Sequence, residues 1–409
     1  STCLERAFST NSRKSKLLTK EGFVNAQANL KVEFQKDKKL SAICTAAQNQ
    51  AEATEAARAL APKLARQLAD AGMFSMFVPE AVGGAQLTPL QGNARLQVLA
   101  MHDAASAWVS MIGATAALGA AFIKPEISGP MFADPSRITC GIFAPNGRAL
   151  QDGDDYIVSG RWAWASGSAN ADYIGLGCMA QASEDAKPSV RLLMIPREEI
   201  IFHDTWHTMG LCGTSSGDVE VDQVRVPVAH SYSIATDTPW IEDPLYKMPY
   251  FGFLATGVGA VALGNARAAL DDFLHLAMAK IPMGNKRTLA ERSGVQAAVA
   301  EAEALWRSAD AFYWQTLREI WQAVEGGQAI SPEQRADLRL ISTHAVRTCV
   351  QVVRQVHDLA GGTSVYKTSA IQRRLRDSET MTQHMIANAA TYEMIGRVKL
   401  GGYNKSMQL

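Results

Sequence analysis

The 409-residue chain is sparing with cysteine: its six, at positions 3, 44, 140, 178, 212 and 349, are scattered, and no two stand in a CxxC pair. That spacing argues against a disulfide framework and a structural zinc site, and it fits a reducing, cytoplasmic compartment. An excess of one charge is also missing, since Lys plus Arg and Asp plus Glu each number 40. A polyanion finds no general attraction in such a chain, so nucleic acid is not an expected partner. No apolar run reads as a membrane crossing. The closest, residues 252–263, is rich in Gly and Ala and falls short of the roughly 20 residues a bilayer needs, so a buried helix is expected there. There is no GxGxxG after a strand and no Walker lysine loop, which removes the case for a resident NAD site. His203 and His207 flank Trp206 in a loop, where four-residue spacing does not build a metal site, and no metal is assigned.

What is present is an ordinary globular composition, 47% hydrophobic and 20% charged. Residues 1–40 differ, with nine basic side chains against four acidic ones and little apolar periodicity. Their acids at Glu5, Glu21 and Glu33 speak against a transit peptide, and the stretch reads as a loosely attached extension. Helical spacing over 46–71 and again over 89–122 makes an N-terminal helical domain at 41–135. Residues 136–232 alternate short β-rich runs with turn signals, among them the hairpin candidate Asp152-Gly-Asp-Asp, and predict a central antiparallel β-domain. Helical period then returns at about 250–280, 290–325, 332–360 and 378–396, punctuated by Gly284-Asn285, Gly326-Gly327 and Gly361-Gly362. This predicts a C-terminal four-helix bundle over 233–409 and an α+β fold.

Several motifs in that order resemble the acyl-CoA dehydrogenase superfamily. Gly210-Leu-Cys-Gly-Thr-Ser-Ser-Gly is similar to the stretch that closes the family's β-domain, and Gly361-Gly-Thr-Ser with Ile371-Gln-Arg-Arg-Leu-Arg-Asp to its glycine turn and Arg-Asp pair. Three further features resemble the branch of oxygenase components of two-component flavin monooxygenases, such as 4-hydroxyphenylacetate hydroxylase, dibenzothiophene monooxygenase and indole oxygenases. They are Phe143-Ala-Pro-Asn-Gly, Arg161-Trp-Ala-Trp-Ala-Ser-Gly, and Arg376-Asp followed by Gln383-His384. A dehydrogenase needs a carboxylate base beside its flavin. The family places it in windows that here, over 380–390 and 245–270, contain no acid.

The resemblance implies reduced FAD, or FMN, delivered by a separate reductase, reaction with O2 to a C4a-hydroperoxide, and oxygen transfer to a small apolar aromatic such as indole. A lone His on a helix is more often structural, but the resemblance makes His384 a donor beside the flavin, with Ser166 as a second catalytic candidate. Trp162 and Trp164 are first of all core aromatics, one of which is a candidate to shield the flavin face. For the dinucleotide the resemblance implies Thr214, Ser215 and Ser216. Gln296, Gly361, Gly362 and Thr363 would reach over from a neighbouring subunit of a homotetramer, with Lys286 and Arg287 supplying charge at the head of a helix near Thr288. Trp108, Met111, Phe251 and Met385 are the expected cleft lining. Two rivals remain: a dehydrogenase or oxidase whose base is displaced to Glu379, and a non-catalytic flavin-binding scaffold.

Overall fold

The computed structural model describes residues 37–132, 134 and 136–402, so all but the last four residues of the expected extension lie outside the described residues. Helices α1 (Lys38–Ala57), α2 (Pro62–Asp70), α3 (Pro89–His102), α4 (Ala104–Ala116) and α5 (Pro125–Phe132) come first. Both long helices expected here are interrupted. The first breaks at Arg58, whose left-handed backbone (φ 57°) turns Ala59 into a bridge with Thr214 of the β-domain. The second breaks at Asp103, which leaves the helix with extended backbone and caps α4 by accepting the Ser106 N–H at 2.8 Å. Apolar spacing runs through both breaks because the residues on either side bury the same face.

Strands β1 (Thr139–Asp152), β2 (Asp155–Trp162), β3 (Tyr173–Gln181), β4 (Ser189–Pro196), β5 (Ile201–His203), β6 (Asp218–Pro227) and β7 (Ser231–Tyr232) form one sheet in the order β5-β6-β2-β1-β3-β4-β7. The Asp152 turn closes β1 on β2 with Gly153 at φ 65°, as its sequence requires. The expected all-antiparallel pairing is corrected at one place: β1 and β3 are parallel, Thr139 lying opposite Tyr173. The chain leaves β2, passes the end of β1 and starts β3 on its far side, so β3 has to run in β1's direction. That crossing segment, residues 163–172, carries Trp164 and Ser166.

The C-terminal part holds α6 (Tyr250–Ala279), α7 (Ser293–Glu325), α8 (Pro332–Ala360), α9 (Ala370–Met381) and α10 (Thr391–Lys399). The last helix expected, 378–396, is therefore two short ones, and residues 382–390 between them form turns. Two stretches, Ala104–Ala121 and Tyr250–Ala279, are long and apolar enough to cross a bilayer, which the sequence reading had not found. Each is 94% buried inside the protein, as core helices are. Glycine permits that burial: a Cβ on Gly257 of α6 would come within 2.6 Å of Met111 on α4.

Candidate functional site

Two loops and two helices meet where β2 ends. Trp164 (φ 65°), Leu211 (φ 50°) and Ser215 (φ 50°) all take left-handed backbone, which costs a non-glycine residue of order 1 kcal/mol and persists only where the surroundings enforce it. Here they do. Ala165 N–H donates to the Gly217 carbonyl at 3.1 Å and Gly167 N–H to the Thr214 carbonyl at 2.8 Å, clipping the two loops together. Gly210 lies so close to α9 that a Cβ would stand 2.0 Å from the Arg376 carbonyl oxygen. The next residue, Leu211, donates its N–H to buried Asp377 of α9 at 2.6 Å. Asn265 of α6 holds the other side of α9, donating to the Arg374 carbonyl and the Ser378 hydroxyl, both at 2.9 Å.

This frame presents a row of buried hydroxyls. Thr214 Oγ1 donates to the Leu211 carbonyl at 2.7 Å and lies 2.6 Å from Ser216 Oγ, which is 2.6 Å from Ser166 Oγ. Because the Thr214 proton is committed to a carbonyl, Ser216 donates to Thr214 and Ser166 donates to Ser216. Ser166 also accepts the Trp108 indole N–H at 3.3 Å. Its proton points inward, and a lone pair is left to accept from a ligand. The Trp108 ring, on α4, meets the His384 ring edge-on with centroids 5.3 Å apart. One indole thus joins the two catalytic candidates, which are 218 positions apart in the chain.

His384 lies on the turn after α9 rather than on a helix, partly exposed, and its Nδ1 accepts the Ile386 N–H at 3.4 Å. Burial of the imidazole, with the positive charge of Arg339 adding, pushes its pKa down to about 4. The ring is neutral at physiological pH, and with Nδ1 accepting, its proton sits on Nε2. Burial acts the other way on Asp377, raising its carboxyl to about 7 despite the Leu211 N–H, with the charge of Asp103 adding. Of the acids beside the empty window, Glu379 is gripped by Arg354 of α8, with one contact at 2.7 Å, and Glu393 pairs with Arg397.

The other expected site residues fall into four groups. Trp162 is a core residue, fully buried with its N–H on the Gly177 carbonyl at 2.8 Å, whereas Trp164 stands 73% exposed at the lip. Trp108 and Met111 are buried in α4, Phe251 is half-buried at the head of α6 beside Tyr250, and Met385 is exposed next to His384. The hydroxyls of Thr214 and Ser216, expected at a phosphate, are enclosed and engaged with one another, which leaves half-buried Ser215 as the least enclosed of the three.

The remaining group is at the far end of the bundle. Arg287 and Gln296 line a cleft of about 670 Å3 with Leu289 and Asp358, and Thr363 lines another of about 360 Å3 with Asp272 and Tyr366. Lys286 is exposed, Gly361 (φ 57°) and Gly362 are exposed at the end of α8, and the helix after Thr288 starts only at Ser293, behind a short 3-10 turn. His203 bonds Glu220 at 2.8 Å. Sequence reasoning missed Asn265 and Arg339, and it had named Asp377 only as part of a motif. The Arg376-Asp pair was the available signal for Asp377. A polar amide at the end of the mostly apolar first half of α6 was the signal for Asn265.

Comparison with known proteins bears on this arrangement. A family model for the acyl-CoA dehydrogenase C-terminal domain matches residues 256–389. Indole-3-acetate monooxygenase of Pseudomonas putida is 31% identical, over 81% of this chain and 84% of its own. The oxygenase component of an FADH2-dependent resorcinol hydroxylase from a Rhizobium species is 28% identical, over 86% and 90%. The solved structure of XiaF from a Streptomyces species, in complex with FADH2 and glycerol, superimposes with a TM-score of 0.84 at 19% identity, covering 94% of this chain and 98% of that one.

Proposed function

We propose, for a chain that belongs to the flavin-dependent monooxygenases of the acyl-CoA dehydrogenase superfamily, that it is the oxygenase component acting on an indole-type aromatic with reduced FAD. The single observation that carries the assignment is the Trp108 bridge, which sets a hydroxyl and a neutral imidazole at one place while Arg354 holds Glu379. A dehydrogenase needs a free carboxylate there, and this arrangement offers hydrogen-bond partners instead.

The residues present fit a flavin. Trp164 offers a flat exposed indole, the Ser166 lone pair suits a ring N–H, and Ser215 opens its loop to a polar group. Ser166 and Trp164 would hold the isoalloxazine. Ser215, and from a neighbouring subunit Lys286, Arg287, Gln296, Gly361, Gly362 and Thr363, would hold the remainder, in a homotetramer. FAD is preferred over FMN because the bundle group is large enough to serve a dinucleotide. When bound, reduced flavin supplies the two electrons that activate O2.

The chain's residues do the rest. Ser166 would orient the ring by accepting its N–H, while His384 would donate Nε2–H toward negative charge that develops beside it, a term that preorganised donors make large in a dry site. Trp108 keeps both in register. Trp108, Met111, Phe251 and Met385 give an apolar, aromatic lining suited to an uncharged indole ring. A separate reductase supplies the reduced flavin, and buried, unpaired thiols such as Cys44, Cys140, Cys178 and Cys349 support work in the cytoplasm.

The test is turnover with chemically reduced FAD and O2, scoring oxygenated product and H2O2 with indole and with indole-3-acetate. Product with either supports the assignment. Peroxide alone with every aromatic, or bleaching of oxidised flavin by an acyl-CoA, overturns it. Light scattering checks the tetramer.

A further inference from the structure

The mechanism above uses His384 but leaves unexplained what holds a nine-residue stretch of turns, 382–390, still enough to aim it. Arg339 lies inside α8, 1% exposed, and donates from its guanidinium to the Ile386 carbonyl at 2.9 Å. Ile386 is the residue whose N–H meets His384 Nδ1. The two faces of one residue therefore connect a buried cation to the imidazole.

We propose that Arg339 is a positioning residue for the reaction: it fixes the His384 turn through the Ile386 carbonyl and, as a buried positive charge, holds the imidazole neutral with its proton on Nε2. The inference rests on the proposed role of His384. Protonating the ring would put a second cation near Arg339 and a proton on Nδ1, against the N–H it now accepts. Both effects act in the direction in which the His384 pKa is displaced. The other groups around the ring do not oppose this. Trp108 comes from α4 and carries no charge, the turn itself brings Thr382, Gln383, Met385 and Ile386, and the acid of α9 nearest in sequence, Glu379, is engaged by Arg354. A neutral Nε2–H donor can stabilise developing negative charge without giving up its proton, so oxygenation should stay coupled across physiological pH.

The experiment is a histidine-ring NMR titration of the flavin-free protein, with the His384 signal assigned from its loss in His384→Gln. In the unmodified chain the ring should stay neutral down to about pH 5. Arg339→Gln keeps a donor for the Ile386 carbonyl but no charge, and its His384 midpoint should rise by about one pH unit or more. Arg339→Lys keeps the charge and should leave the midpoint low. In turnover, Arg339→Gln should lose coupling as pH falls toward its raised midpoint, about pH 5, and keep it at pH 8, which a merely loosened fold would not do. An unchanged midpoint in folded Arg339→Gln overturns the proposal. If that variant does not fold, a His384 midpoint at or above the ordinary 6.5 in the unmodified chain overturns it equally. The titration needs no turnover, so a failed oxygenase assignment and a failed Arg339 role give different results.

Discussion

The two walls of the site reach the same end by different means. The β-domain wall is held by backbone: three left-handed residues, Trp164, Leu211 and Ser215, clipped by cross-loop hydrogen bonds and by a row of hydroxyls that all donate one way. In the bundle wall residues 382–390 all keep negative φ, and His384 is fixed by packing on Trp108 and by the N–H of Ile386. A strained loop is precise but brittle, because each residue depends on its neighbours' backbone. A helix break held by side chains tolerates local change and is sensitive to charge.

The largest effects should come from the groups at the two tips. Ser166→Ala and His384→Ala are each expected to lower product per flavin oxidised by on the order of 100-fold, with H2O2 release rising and folding intact, as loss of one preorganised partner does. Equal coupling in either variant and the unmodified chain would remove that wall from the chemistry. Gly210→Ala breaks the comparison at its hinge, since its Cβ would meet the Arg376 carbonyl at 2.0 Å. A loss of about 1–3 kcal/mol, read from thermal or denaturant unfolding, is expected, together with weaker flavin binding.

Thr214→Val is subtler. It deletes the acceptor that orients Ser216 and hence Ser166, while the side chain keeps its volume. Coupling should fall several-fold and stability by about 1–3 kcal/mol. The matching change on the other wall, Thr382→Val, should spare coupling, because the Thr382 hydroxyl bonds the Glu379 carbonyl within its own helix end.

The smallest effect is on pH dependence. The folded-state pKa of Asp377, raised to about 7, means that its contribution to stability is full below the ordinary 3.8 and is lost as pH rises through about 7. His384, lowered to about 4, contributes in the opposite sense: stability is present above 6.5 and lost as pH falls through about 4. Asp377→Asn should flatten the fall of melting temperature between pH 4 and 7, and a profile unchanged by that substitution would show that Asp377 does not titrate there.

Much of this was legible in the residues. The order of helical, β-rich and helical segments followed from periods of 3.6 and 2, and the Asp152 hairpin from its glycine. The empty acid windows, with Ser166 and His384 as what stood in the relevant motifs, could be read without coordinates. Thr214 and Ser216 of the 210–217 loop were legible as polar but not as a closed relay with Ser166, since hydroxyls that bond each other look in sequence like hydroxyls that bond a phosphate.

Sequence by itself determined composition, periodicity and the chemistry available, because these depend on near neighbours along the chain. Tertiary structure alone decided the break at Arg58, the parallel β1–β3 pair, and the meeting of Trp108, Ser166 and His384. Each of these depends on what a distant segment offers: a backbone bridge for Ala59, an edge for a strand, a ring for a ring. Such long-range partners leave no periodic trace, and they are what turn a set of plausible side chains into a site.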